Sequence, residues 1–175
     1  GDRFLALEER SGIARRMNAD LFVSIHADAA ADPGARGATI YTLSERASDA
    51  AAARIAAREN RADTVNGVAL GEQPGDVAAI LLDLSRRATL ERSDSFAALV
   101  LREAKGALRF RPEPRKSAAF VVLKSPDVPS VLFEAGYISN ADDATRLLDA
   151  PAQARFAQSF ARAIEAYFAR VRRGA

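Results

Sequence analysis

The chain has 175 residues, 49% of them hydrophobic, enough for one buried core, so a single globular domain is the expectation. Charged residues make up 27% and nearly cancel to +2, so the pI of about 9.3 reflects a small arginine excess without a basic tract, and nothing calls for a nucleic-acid partner. Cysteine is absent, which excludes disulfides, thiolate metal sites and cysteine nucleophiles, and no apolar run reaches the roughly 18 residues of a membrane span.

The opening Gly1-Asp2-Arg3-Phe4 has no signal-peptide order, and the chain passes at once, without an initiator Met, into patterned sequence; a piece of a longer protein is expected. From Leu5 to Met17, apolar Leu5, Ile13, Ala14 and Met17 sit among charged residues and predict an amphipathic helix ended by Asn18-Ala19-Asp20. Leu21 to His26 is a short apolar, β-branched run, a buried strand with His26 at its C-terminal end. After the turn at Asp32-Pro33-Gly34, residues Gly37 to Leu43 predict a second strand. An Ala-rich helix follows from Ser48 to about Asn60, with Ser48 or Ser44 as its N-cap.

Arg61 to Gly75 has no period and collects Asn66, Gly67, Gly71, Pro74 and Gly75, which reads as an irregular connection. Val77, Ile80, Leu81 and Leu84 then fall on one helical stripe, with Asp76 at its N-terminal end. A separate helix is expected from Ser93, as cap, to Lys105, ended by Gly106, with Pro112 and Pro114 breaking the chain after it. Ala118 to Leu123 and Ser130 to Glu134 predict short strands separated by Ser125-Pro126-Asp127-Val128-Pro129. Ala141 to Leu148, and a long helix after Pro151 with Phe156, Phe160, Ile164 and Phe168 at four-residue spacing, complete the chain. Strands alternating with helices imply an α/β fold, a three-layer sandwich with a central mixed, mostly parallel sheet.

Two residues stand out chemically. His26 is the chain's one histidine, and Glu134 follows the apolar run Val131-Leu132-Phe133; each is read at the end of a buried strand, where sites assemble in α/β sheets. A lone half-buried histidine is more often structural than functional. A carboxylate placed directly after a buried strand is costly unless paired, coordinated or protonated, so a role for Glu134 and a simple rim position weigh about equally.

The wording around both residues resembles the zinc-dependent N-acetylmuramoyl-L-alanine amidases. Ala19 to Asp28, ending Ser24-Ile25-His26-Ala27-Asp28, is similar to the family's metal-ligand strand, which usually ends Ser-Ile-His-Ala-Asn. Pro129-Ser130-Val131-Leu132-Phe133-Glu134-Ala135-Gly136-Tyr137-Ile138-Ser139-Asn140 is similar to its catalytic signature. The resemblance makes His26 a zinc ligand and Glu134 the catalytic carboxylate, and it covers nearly the whole chain as the C-terminal part of one catalytic domain, residues 1–175. Asp2 to Arg10 resembles the segment after the family's second strand, and Ala118 to Leu123 its penultimate strand. Departures are Asp28 for the commoner Asn, Phe133 for Val and Tyr137 for Phe. The two other zinc ligands, a His and a Glu, fall ahead of Gly1 on this alignment, so this piece alone is expected to be inactive.

What the resemblance implies further is hydrolysis of the amide between the lactyl group of N-acetylmuramic acid and L-alanine in peptidoglycan, in the bacterial periplasm, by a monomer that serves septum splitting. Residues 60–91 resemble the insertion of division-associated members, whose helix covers the zinc until an activator of the coiled-coil or LytM type displaces it; Asp63, Glu72, Asp76 and Asp83 are the candidate blocking carboxylates, beside the plain alternative of a packed core helix. Two other readings stay open: a zinc peptidase of similar fold, since loops and not folds set substrate, and a remnant without catalysis that binds wall or partner.

Overall fold

The computed structural model describes residues 3–32, 34–65 and 79–174. Four strands, β1 (Phe22–Asp28), β2 (Ala38–Leu43), β3 (Phe110–Ala118) and β4 (Ser130–Tyr137), form one sheet in the order β1-β4-β2-β3, and five helices accompany them: α1 (Leu7–Arg16), α2 (Ala50–Val65), α3 (Ala79–Glu103), α4 (Ala141–Leu148) and α5 (Ala150–Gly174). Phe22 N–H bonds Pro129 O and Ile138 N–H bonds Asp28 O, so β1 and β4 run parallel. Ala38 N–H to Arg109 O and Ser44 N–H to Ala118 O make β2 and β3 parallel as well. Gly37 and Tyr137 donate to the same Asp143 oxygen, which joins the start of β2 to the end of β4 and makes that central pair antiparallel. The sheet is therefore mixed and mostly parallel, as expected.

The chain divides into two compact units, the first Gly1–Ser24, Thr42–Ser93 and Lys116–Val131, the second Ile25–Tyr41, Asp94–Arg115 and Leu132–Ala175. In the first, α1 buries Leu7, Ser11 and Ala14, one stripe at i, i+4 and i+7, whereas Met17, expected on the apolar face, is 75% exposed. Asn18 at φ 50° turns the chain out of the helix, and Ala19 N–H closes on Ala14 O. The Arg15 guanidinium grips Asp127 through Nε at 2.7 Å and Nη2 at 3.2 Å, fastening α1 to the proline-bounded turn.

Helix α2 starts from Asp49, not from Ser44 or Ser48, and runs past Asn60 to Val65, so residues 61–65 of the expected irregular connection are helical, and the rest of it lies outside the described residues. Asp49 Oδ1 accepts the Ala52 N–H at 2.7 Å while Oδ2 meets Lys116 Nζ. Lys116, then the Ala52 amide, hold this carboxyl below the usual carboxylate range. A group depressed in this way stabilises the fold above its unfolded pKa of about 3.9 and loses that contribution as pH falls through the folded value. Asp49→Ala is accordingly expected to cost about 1–2 kcal/mol at neutral pH, with the difference from the parent shrinking below about pH 4; urea unfolding at the two pH values measures it.

Three expectations are corrected here. The helices expected at Val77–Leu84 and Ser93–Lys105 are one helix, α3, from Ala79; Ser93 does not cap but bonds back to Thr89 O at 2.9 Å and accepts Ser130 N–H at 2.9 Å, fastening the helix to β4. Residues Val77, Glu72 and Asp76, and the side chains of Asp63, Ile80, Leu81, Asp83 and Leu84, lie outside the described residues. Pro112 and Pro114 do not break the chain but lie within β3, at the edge of the sheet. The last strand of the order β1-β4-β2-β3 has one flank unpaired within this sheet, so residues without an N–H are tolerated there. Ala118 to Leu123 is not a strand: β3 ends at Ala118 and Val121–Leu123 is a buried 3-10 turn. The Asn60 amide explains this, donating to Ala119 O at 2.8 Å and accepting Val121 N–H at 2.9 Å, so these backbone groups have partners outside any ladder.

The second unit is built on Phe133, whose ring packs on Phe156, Phe160 and Phe110 at centroid distances of 5.4, 4.8 and 6.5 Å. Helix α5 buries Ser159, Phe160, Ala163 and Tyr167, a stripe shifted from the expected Phe156-Phe160-Ile164-Phe168 row but sharing Phe160. Asn140 caps α4 by accepting Asp143 N–H. No helix among the described residues is long and apolar enough to cross a membrane.

Candidate functional site

Along β1, His26 and Asp28 alternate with exposed Ile25 and Ala27 and so share one face. Both strands that carry the sequence-predicted residues run further than expected: β1 continues to Asp28 and β4 to Tyr137, so His26 and Glu134 stand within strands, not at their ends. Glu134 projects from β4 on the side opposite Phe133, and its side chain is 0% exposed.

The geometry around Glu134 is specific. Oε1 accepts the Asp28 backbone N–H at 2.9 Å, whereas Oε2 is buried without a hydrogen-bond partner. Burial first, and then the neighbouring Asp28 carboxylate, push the Glu134 carboxyl up to about 8; the Asp28 amide and His26 pull the other way and lose. His26 Nδ1 lies 3.9 Å from Asp28 Oδ1, with side chains only 13% and 17% exposed. The structure thus brings His26 and Glu134 together through Asp28, whose coupling role the sequence did not reveal; its only signal was i+2 spacing from His26 on a strand.

Beneath this group, Asp143 in the first turn of α4 sends Oδ2 to Gly37 N–H at 2.7 Å and to Tyr137 N–H at 3.1 Å. Gly136, at φ 152°, lies against it: a Cβ there would stand 3.1 Å from Asp143 Oδ2. Arg111 donates to Tyr137 OH at 3.2 Å and braces the same strand end. A cavity of about 810 Å³ has His26 and Asp143 in its wall beside Ile25, Ala27, Leu108 and Phe156, whereas Glu134 is not in its wall.

A buried carboxyl with one oxygen held and the other without a hydrogen-bond partner, near an imidazole on the adjoining parallel strand, is an arrangement able to take up and release a proton. The chain belongs to the N-acetylmuramoyl-L-alanine amidase family, whose sequence profile matches residues 1–166, a family that is typically metal-dependent. The amidase AmiA of Escherichia coli is 38% identical over 169 residues, covering 96% of this chain and 58% of its own length. AmiC of Neisseria meningitidis serogroup B is 38% identical over 169 residues, covering 95% of this chain and 40% of its own. The chain therefore spans 58% and 40% of the length of these two curated relatives. The structure of the amidase AmiC2 of Nostoc punctiforme is similar at a TM-score of 0.57 and 25% identity, over 96% of this chain and 68% of that one.

Proposed function

We propose that this chain is the larger part of the catalytic domain of a zinc-dependent N-acetylmuramoyl-L-alanine amidase that releases stem peptides from peptidoglycan at the cell envelope, in the periplasm. The observation that carries the reading is Glu134: a fully buried carboxylate with Oε1 fixed and Oε2 open, within the family's catalytic signature. An orphaned carboxyl oxygen in so dry a setting suits a site that takes a cation and water, and the His26 imidazole, a nitrogen donor type, stands near it.

On this reading His26 holds zinc together with a histidine and a glutamate of the longer protein, and the bound metal supplies Lewis-acid polarisation of the amide carbonyl and of water. Glu134, held by the Asp28 amide, takes the proton of the attacking water at Oε2 and delivers it to the departing L-alanine nitrogen. An amine leaves only when protonated, so one carboxyl serves first as base and then as acid. Its raised affinity for protons suits the second task. Residues 60–91 act as the covering segment that an activator displaces.

The test compares this chain with a form extended to the relatives' full catalytic length, measuring zinc content and dye release from labelled peptidoglycan. The expected result is stoichiometric zinc and release by the extended form only, rising when residues 66–85 are removed. An extended form that binds zinc yet leaves peptidoglycan intact, with or without that removal, would transfer the assignment to another hydrolase of this fold.

A further inference from the structure

We infer that Thr39 is a positioning residue for Glu134: its hydroxyl, through one bridging water, holds Oε2 from β2 as the Asp28 amide holds Oε1 from β1. Its purpose rests on the amidase reading; its content rests on the second unit alone, to which all the residues concerned belong. Strand β4 lies between β1 and β2, so Glu134 has a neighbouring strand on either side. From β1 the Asp28 N–H donates to Oε1 at 2.9 Å. On β2 stands Thr39, 0% exposed.

The ladder decides which face Thr39 occupies. Ala38 N–H donates to Arg109 O, which pairs Ala38 with Phe110 across the parallel strands β2 and β3 and puts both side chains on one face. Phe110 packs edge-on against Phe133, so that face is the one Phe133 occupies. By alternation, Thr39 on β2 and Glu134 on β4 project from the opposite face. Tyr41, two residues beyond Thr39 and on its face, agrees: burial first, then Tyr137, with the Glu134 charge among the lesser causes, push its hydroxyl above the ordinary value. Gly37 and Tyr137 meet at one Asp143 oxygen. Thr39 and Glu134 lie two and three residues inward from that joint, which makes them neighbours across the antiparallel pair. Facing residues on such strands have Cβ atoms about 4.5–5.5 Å apart.

The buried side-chain oxygens without a hydrogen-bond partner among the described residues are these two neighbours, Thr39 Oγ1 and Glu134 Oε2. Buried polar atoms seldom go unpaired, and one buried water answers two or three of them at once. A hydroxyl can donate to water, and a carboxyl oxygen has two lone-pair directions, so Oε2 keeps one direction for the proton it carries in catalysis. Thr39 itself neither gains nor loses a proton; it fixes the direction in which Oε2 points.

A crystal structure of the 175-residue chain, at a resolution that shows ordered water, is expected to place one water within hydrogen-bond distance of both Thr39 Oγ1 and Glu134 Oε2. Thr39→Val, which keeps the shape and deletes the hydroxyl, is expected to lose that water, and Thr39→Ser to keep it. In the extended, zinc-loaded enzyme Thr39→Val is expected to lower kcat about 10-fold with KM and zinc content unchanged, and Thr39→Ser to stay within about threefold of the parent. A merely structural hydroxyl would leave kcat at the parent value in the valine variant and move only the urea midpoint. A Thr39 hydroxyl bonded elsewhere, sharing no water with Oε2, overturns the assignment, and so does a Thr39→Val enzyme with the parent's kcat. Where valine impairs folding, the parent crystal structure decides by itself. A parent enzyme that binds zinc yet leaves peptidoglycan intact, with the shared water in place, upholds Thr39 as the residue that sets Glu134 and instead removes the amidase reading.

Discussion

Asp143→Ala is expected to remove about 3–5 kcal/mol of folding stability, a large part of a typical total of about 5–15 kcal/mol. One oxygen of this 4%-exposed carboxylate accepts two backbone amides from different strands, Gly37 and Tyr137. Alanine leaves both N–H groups without that partner, at about 1–3 kcal/mol each, and opens the space against which Gly136 packs. Asp143→Asn keeps a carbonyl acceptor of the same shape and is expected to lose less than half as much. Urea denaturation separates the two; equal losses would mean that shape and not the acceptor oxygen matters.

The second large effect is chemical. Glu134→Gln in the extended, zinc-loaded enzyme is expected to lower kcat on the order of 10³-fold while leaving zinc content and KM nearly unchanged, because glutamine can still accept the Asp28 amide but cannot carry a proton. That the loss is catalytic is checked on the metal-free chain. An acid whose folded pKa, here about 8, exceeds its ordinary 4.5 makes folding progressively less favourable as pH climbs between those values, with the whole penalty present above the upper one. Glutamine never ionises, so the variant is expected to be more stable than its parent at about pH 9, by a few kcal/mol, and closely matched at about pH 4. A variant that loses activity and also melts earlier at alkaline pH would place the defect in folding.

How much of this was legible beforehand depends on whether a feature is local. The strands at Phe22 and Ser130 and the helix after Pro151 follow from apolar runs and four-residue spacing, and His26 and Glu134 from the wording around them. The identity of β3 was not legible, because Pro112 and Pro114 forbid a central strand and permit an edge one, and only the strand order settles which applies. The unity of α3 was hidden for a related reason: Ser93 is as good a cap as a back-bonding residue until its partner, the Ser130 amide, is known. Asp28 and Asp143 look like ordinary polar residues in sequence, since what distinguishes them is a partner more than 100 positions away, the Glu134 carboxyl for the Asp28 amide and the Gly37 amide for the Asp143 side chain.

The prolines of β3 bear on self-association. A sheet grows by offering its last strand's unpaired amides to another chain, and this border offers none at Pro112 or Pro114, with Arg111, Glu113 and Arg115 interleaved as charges that an incoming apolar strand would have to desolvate. Pairing of another chain along β3 is thereby disfavoured by two absent amides as well as by charge, and the first of these does not change with salt or pH.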